Sequence, residues 1–365
     1  MGQCSTRQTT QIEGSDDMRM RELGRTGIKI SELALGSMTW GTQNTTLEGH
    51  AQIDRAMERG VNIIDTAEMY PVNPLSKETQ GDTQKVIGEW VAKNPSKRGD
   101  VLLATKVSGS GYEIVREGAP ISRDTIHAAI EASLRDMQTD YIDLYQLHWP
   151  NRGSFQFRQN WNFDATGQDT NEVNRHMAEV LTTMADLQKA GKIRHFGLSN
   201  ESAWGCTRWC VMADTLGAPR PVSTQNEYSL MYRSHDTDMA EMSHHEKVDL
   251  LSFSPLATGI LSGKYLNDQT PRGSRRTFVE NLGGRMTRRS FAASEAYLNV
   301  AKKHSLNPCQ MALAWCRTRP FMGTAIFGST TMEQLDVALG SVDVELSDAV
   351  LTDIDNAHRA HPQPY

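Results

Sequence analysis

From Arg21 onward, short apolar or β-branched runs alternate with longer stretches in which apolar residues recur at helical spacing. Runs such as VLLATKV and YIDLYQL are apolar along nearly their whole length, as a parallel strand covered on both faces requires. The pattern predicts strands at Glu32–Met38, Asn62–Ala67, Val101–Val107, Tyr141–His148, Ile193–Ser199, Ser223–Glu227, Asp249–Ser254 and Thr324–Gly328. Between them, TIHAAIEASLRDM sets Ile126, Ile130, Leu134 and Met137 on one stripe, with Ser122 upstream as a cap. AQIDRAMERG and EVLTTMADLQKAGK repeat the theme, each with a glycine suited to the left-handed residue after a helix. The alternation runs through the chain without a Gly- or Pro-rich linker. It predicts an α/β fold, one (β/α)8 TIM barrel over 18–365. A doubly wound sheet would need a first strand feeding GxGxxG, and that motif is absent.

RELGRTGIKISELAL reads as a β-hairpin turning at Arg25–Gly27, a plug for the N-terminal mouth of the barrel. Two segments exceed ordinary loop length: Asn151–Asn171 after the fourth strand and Thr258–Ser290 after the seventh. Loops after strands are where barrel enzymes build their sites. Residues 1–17 are polar and read as a disordered tail, with Met18 and Met20 as alternative starts. Met1-Gly2 with Thr6, and Cys4 nearby, matches the loose acylation pattern, which is short and often fortuitous.

Composition narrows the partners. The net charge of −6 arises from interspersed acids and bases, without the basic stripe that a nucleic-acid surface needs. No apolar run is long enough for a membrane span, and no signal peptide is evident, so a cytoplasmic protein is expected. An odd count of 5 cysteines at irregular spacing argues against a disulfide framework. Cys206 and Cys210 read as small residues packing inward from a helix, and His244-His245 as a solvent-facing pair; no metal site is expected.

Three ionisable residues stand in or at the ends of predicted strands: Asp65 in NIIDTAEMY, Lys106 in LLATK and His148 in LYQLH. Tyr70 lies just beyond the first of these strands. Singly, each has a plain structural reading: Asp65 a turn cap, Lys106 a solvent-facing strand end, His148 a satisfied core histidine. In a closed barrel all four converge on one face, and the combination is far more specific than its members.

Around these residues the chain resembles the aldo-keto reductase superfamily, from Arg21 to the C-terminus. The resemblance is carried by GVNIIDTAEMYPVNPLSKETQGDTQKVIGEW, GKIRHFGLSN, LSFSPLATGILSGKY and IFGSTTMEQLDVAL. The insert after His148 and the phrase QNEYSLMYRS make it most similar to the bacterial Tas-like branch, related to potassium-channel β subunits. The resemblance implies a catalytic tetrad of Asp65, Tyr70, Lys106 and His148. Tyr70 would be general acid for carbonyl reduction, Lys106 would lower its pKa, Asp65 would hold the ammonium, and His148 would orient the carbonyl oxygen.

The same motifs imply a bound NADPH, with NADH as a second possibility. Ser199, Asn200 and Gln225 would meet the nicotinamide amide, and Phe253 would stack on the ring. Ser254, Pro255, Leu256, Ala257 and Thr258 would wrap the ribose and pyrophosphate, with Lys264 and Arg275 on phosphate oxygens. Gly328, Ser329 and Thr330 would open a helix at the 2′-phosphate, Thr330 and Glu333 forming its capping box, with Gln334 at the adenine end. Val337 and Ala338 stand where relatives often carry polar adenine contacts, which weakens the expected preference for NADPH over NADH. Trp40, Tyr70, His148 and Trp149 would line the substrate pocket, with Trp161 as a further aromatic wall. Two rival readings accompany the reductase: an NADPH-binding redox-sensing regulatory subunit with little turnover, and an aldolase using Lys106 as a Schiff base.

Overall fold

The computed structural model describes residues 18–365. The expectations for 1–17, including Cys4 and the acylation pattern, lie outside the described residues. A two-stranded antiparallel hairpin, β1 (Met20–Glu22) and β2 (Lys29–Ser31), comes first. Eight strands follow: β3 (Leu33–Gly36), β4 (Ile63–Asp65), β5 (Leu102–Val107), β6 (Ile142–Leu147), β7 (Ile193–Ser199), β8 (Ser223–Glu227), β9 (Asp249–Phe253) and β10 (Met322–Phe327). Every neighbour is parallel, and β10 pairs with both β9 and β3, which closes the ring. The fold is the expected (β/α)8 barrel.

Among the described residues ten α-helices accompany the strands: α1 (Thr46–Glu58), α2 (Asp82–Lys93), α3 (Arg123–Asp136), α4 (Thr170–Lys189), α5 (Ala203–Leu216), α6 (Asp238–Glu246), α7 (Arg288–Lys303), α8 (Pro308–Arg317), α9 (Met332–Leu339) and α10 (Asp348–Ala360). Local chemistry sets their ends. Thr45 and Glu48 form a reciprocal capping box at α1, and Ser122 caps α3 with Thr125 as its partner. Gly217, in the left-handed conformation, ends α5. Cys206 and Cys210 are buried on the inner side of that helix, and His244 and His245 are exposed on α6.

Hydrophobic side chains occupy two layers. The larger lies between strands and helices; the smaller joins Ala34, Ile63, Ala104, Leu144, Leu251 and Ile326 of the strands to Leu23 and Ile30 of the hairpin. The hairpin therefore caps the barrel floor, as expected. Gly24 seats it: with φ +55 its added Cβ would lie 2.7 Å from the Val222 carbonyl oxygen, so only glycine allows that approach. Its N–H donates to Asp249 Oδ2 at 2.6 Å, at the start of β9. Among the described residues no helix is long and apolar enough to cross a membrane.

Candidate active site

Successive strand residues alternate between faces, so the residue two beyond an inward apolar side chain also points inward, one layer higher. From Ile63, Ala104 and Leu144 this step leads to Asp65, Lys106 and Gln146, all buried. Lys106 is 0% exposed and cannot reach water, so its ammonium must be paired internally. Lys106 Nζ donates to Asp65 Oδ2 at 2.7 Å and to the Thr66 carbonyl at 2.7 Å. The other carboxylate oxygen of Asp65 accepts from Gln225 Nε2 at 2.8 Å and Gln146 Nε2 at 3.4 Å. Gln225 Nε2 also donates to Gln146 Oε1 at 3.2 Å. One carboxylate thus satisfies a buried ammonium and orients two amides.

Tyr70 and His148 lie above this pair. The Tyr70 ring centroid is 5.2 Å from Lys106 Nζ, and the two rings meet edge to face at 5.9 Å. Burial holds the His148 imidazole well below its ordinary pKa, and repulsion from Lys106 adds to this, so the ring is neutral. The phenol of Tyr70 is pushed up, first by desolvation and then by the Asp65 carboxylate, while Arg275 draws it down. Desolvation thus outweighs the acidification of Tyr70 expected from Lys106. The Lys106 ammonium itself is pulled down by burial, against the attraction of Asp65.

Beside the tetrad, polar groups stand without partners. Asn200 donates to the His148 carbonyl at 2.9 Å and to Ser199 Oγ at 3.1 Å, but its buried Oδ1 has no hydrogen-bond partner among the described residues. Gln225, with both amide hydrogens committed, presents its own oxygen. The unpartnered Asn200 amide oxygen is an acceptor that a carboxamide N–H₂ can satisfy. After β9 the chain takes left-handed conformations at Ser254 (φ 53), Ala257 (φ 48) and Thr258 (φ 55), strain of about 1 kcal/mol or more per residue that persists at ligand clamps. Lys264 and Arg275, both half-buried, have no carboxylate in hydrogen-bond contact among the described residues, and the Arg275 Nε is an orphan. Burial lowers the pKa of each, that of Arg275 to about 10. Such cations call for an anion, and the donor set fits a nicotinamide dinucleotide.

Three expectations need correction. Trp40 lines no pocket: it is 0% exposed, with its indole N–H donating to Gln52 at 2.9 Å beneath α1. Trp161 is 61% exposed, with the Arg289 guanidinium 6.0 Å from its ring. The cap of α9 is Thr331, one residue later than expected, and it accepts from the Gln334 N–H at 3.3 Å. Gln334 Oε1 in turn accepts from the Thr330 N–H at 3.1 Å, so its side chain closes the turn. Ser329 Oγ is buried without a partner there, Val337 is partly covered and Ala338 is buried.

The aromatic wall has other members. Trp149 is 5.0 Å from His148, 6.1 Å from Phe157 and 6.3 Å from Tyr112, and Phe157 is 6.5 Å from Phe253. Gly109 makes room for it, since a Cβ there would lie 2.4 Å from the Trp149 indole. Glu68, three residues after Asp65, accepts from the Ser108 N–H at 2.5 Å and from Arg116 at 2.7 Å, tying the Tyr70 loop to the end of β5. Gln146 and Glu68 were not anticipated, though both sit within three residues of a residue that was. Among the described residues no group of three metal-ligating side chains occurs.

A charged pair ringed by amides at the carboxyl end of a closed parallel barrel is the arrangement of (β/α)8-barrel enzymes. Within that class the chain belongs to the aldo/keto reductase family, whose model matches residues 32–359. Protein tas of Escherichia coli (strain K12) is 40% identical over 356 residues, covering 95% of this chain and 99% of that protein. An uncharacterized oxidoreductase, YrpG of Bacillus subtilis (strain 168), is 27% identical over 343 residues, 92% of this chain and 94% of that one. An aldo-keto reductase of Babesia bovis is 34% identical over 251 residues, 64% and 87% of the two chains. Membership makes the chain an oxidoreductase of carbonyl compounds in the family's general sense, from a family that generally uses nicotinamide coenzymes.

Proposed function

We propose that this protein reversibly reduces aldehydes or ketones to alcohols with NADPH, Tyr70 supplying the proton. The observation that carries this reading is the buried Lys106–Asp65 pair beneath the Tyr70 ring, with a neutral His148 beside it. When bound, the coenzyme supplies the hydride. His148, uncharged, donates an N–H to the carbonyl oxygen and holds it near the phenol. As negative charge grows on that oxygen, Tyr70 releases its proton to it. The raised pKa of the phenol keeps that proton in place until the oxygen needs it. Lys106 then stabilises the tyrosinate left behind, and Asp65 keeps the ammonium aimed at the ring. Asn200, Gln225 and Ser199 would hold the carboxamide, and Lys264 and Arg275 would meet phosphate. Phe253, Trp149 and Phe157 provide apolar walls that favour flat carbonyl substrates.

The test is a titration of NADPH and NADH against protein fluorescence, followed by oxidation of the tighter nucleotide across a panel of aldehydes and ketones. Tyr70→Phe is expected to cut turnover by roughly 10³-fold while leaving nucleotide affinity nearly intact. Tight NADPH binding with negligible turnover by the unaltered protein would favour the regulatory-subunit reading instead.

A further inference from the structure

The two longest loops, 151–169 after β6 and 254–287 after β9, meet at one buried carboxylate. Glu227, the last residue of β8, is 1% exposed. Its Oε2 accepts from Arg158 Nη1 at 2.9 Å and from Arg285 Nη2 at 2.8 Å. Its Oε1 accepts from Arg285 Nε at 2.7 Å and from the Tyr365 hydroxyl at 3.3 Å. Arg158 belongs to the loop that walls the carbonyl pocket, and Arg285 to the loop that carries Lys264 and Arg275.

Two further observations give the clasp a direction. Phe157 and Arg158 both adopt left-handed backbone, φ 54 and φ 62, so contacts hold them against their intrinsic preference. The contacts are Arg158 on Glu227, and Phe157 against Trp149 and Phe253. The charges are also unbalanced. Burial first, and then repulsion from Arg285, depress the pKa of both Arg158 and Arg275, and Glu227 is the one carboxylate hydrogen-bonded within this group among the described residues. An anion at Arg275 would relieve that repulsion and favour the closed arrangement of both loops, and by linkage the closed arrangement would favour the anion.

Resting on the reductase reading, we propose that Glu227 is a positioning residue that couples the two loops: coenzyme phosphate held on the loop after β9 stabilises, through Arg285, Glu227 and Arg158, the placement of Phe157 on the carbonyl pocket. Coenzyme occupancy and pocket formation become one event.

The experiment uses the full chain, unaltered and as Arg158→Met and Glu227→Gln, with NADPH as the probe. In the unaltered protein NADPH is expected to slow proteolytic cleavage within 151–169 by roughly tenfold. Arg158→Met should abolish that protection and, by the same linkage, weaken NADPH by roughly tenfold, and should raise KM for the best aldehyde of the panel roughly tenfold with kcat little changed. Glu227→Gln should lose the protection and weaken NADPH as well. Arg158 lies on a surface loop, so that variant decides the matter if Glu227→Gln does not fold. Protection by NADPH that survives in Arg158→Met, or an unchanged KM there, overturns the coupling alone. Failure of the unaltered protein to bind either nucleotide overturns the reductase reading, and the coupling with it.

Discussion

The floor and the mouth of the barrel are built from the same strands, two residues apart, and they follow opposite rules. At the floor Ile63, Ala104 and Leu144 pack on Leu23 and Ile30 of the hairpin. At the mouth Asp65, Lys106 and Gln146 replace them in the next inward layer, joined by Gln225. Burial of the floor is favourable at about 25 cal/mol per Å² of apolar surface removed from water. Burial of the mouth costs desolvation, and the Lys106–Asp65 contact does little more than offset it. Stability and chemistry are thus separated along one axis, and each can be disturbed without the other.

The largest effect should come from replacing the pair at the mouth. Asp65→Asn with Lys106→Met is expected to cut turnover by roughly 10³-fold or more, while Tm stays level or rises, because a desolvated ion pair gives way to neutral groups of similar size. Thermal denaturation and steady-state rates on one preparation would check both halves. A sharp fall in Tm would erase the contrast between the two ends.

The converse substitution belongs at the floor. Leu144→Ala, at a fully buried position, is expected to destabilise by about 2–5 kcal/mol through lost burial and a cavity. Its kcat should hold at temperatures where the variant remains folded. Urea denaturation gives the first number and initial rates the second.

A smaller effect is expected where the floor does contain a charge. Burial pushes the Asp249 carboxyl up to about 6, outweighing the hydrogen bond from Gly24. A raised carboxylate pKa contributes stability below the unfolded value and loses it as pH rises through the folded one. Asp249→Asn should therefore be more stable than the unaltered protein above about pH 6, by about 1–2 kcal/mol, with the gap closing below about pH 4. Tm measured across pH would show it, and a gap that widens in acid would contradict the assignment.

The smallest effect is an expected absence of one. Burial and Lys106 keep His148 neutral, so kcat/KM should show no limb from this residue between about pH 5.5 and 8. An inflection near the ordinary histidine value that disappears in His148→Gln would show that the imidazole ionises there.

Much of this contrast was readable in the chain before any coordinates. The eight strands follow from near-continuous apolar runs, and Asp65, Lys106 and His148 stand out as ionisable residues at their carboxyl ends; joining them to Tyr70 as a tetrad is what the family resemblance implies. Trp40 misled because motif position says which loop a side chain leaves, whereas packing decides its direction: Gly49 on α1 leaves space that the indole fills, with a Cβ there only 3.2 Å from the ring. Thr330 and Thr331 both have cap chemistry, and the spacing to Glu333 or Gln334 does not choose between them. Gln146 and Glu227 went unseen for another reason. Each is a polar residue inside a strand whose partners, Asp65, Arg158 and Arg285, come from distant segments, and only closure of the ring brings them together. The low acidity of Tyr70 likewise follows first from its burial and then from the nearby Asp65 carboxylate, and both depend on how the loop after β4 packs.

The pairing of Ala325 with Leu33 joins one end of the chain to the other. A ribosome must therefore finish β10 before β3 acquires its second neighbour, and until then both β3 and β9 offer bare backbone donors and acceptors to any strand nearby. Nascent or truncated chains that stop short of Met322 are expected to be the aggregation-prone species of this protein, since nothing upstream can seal either edge.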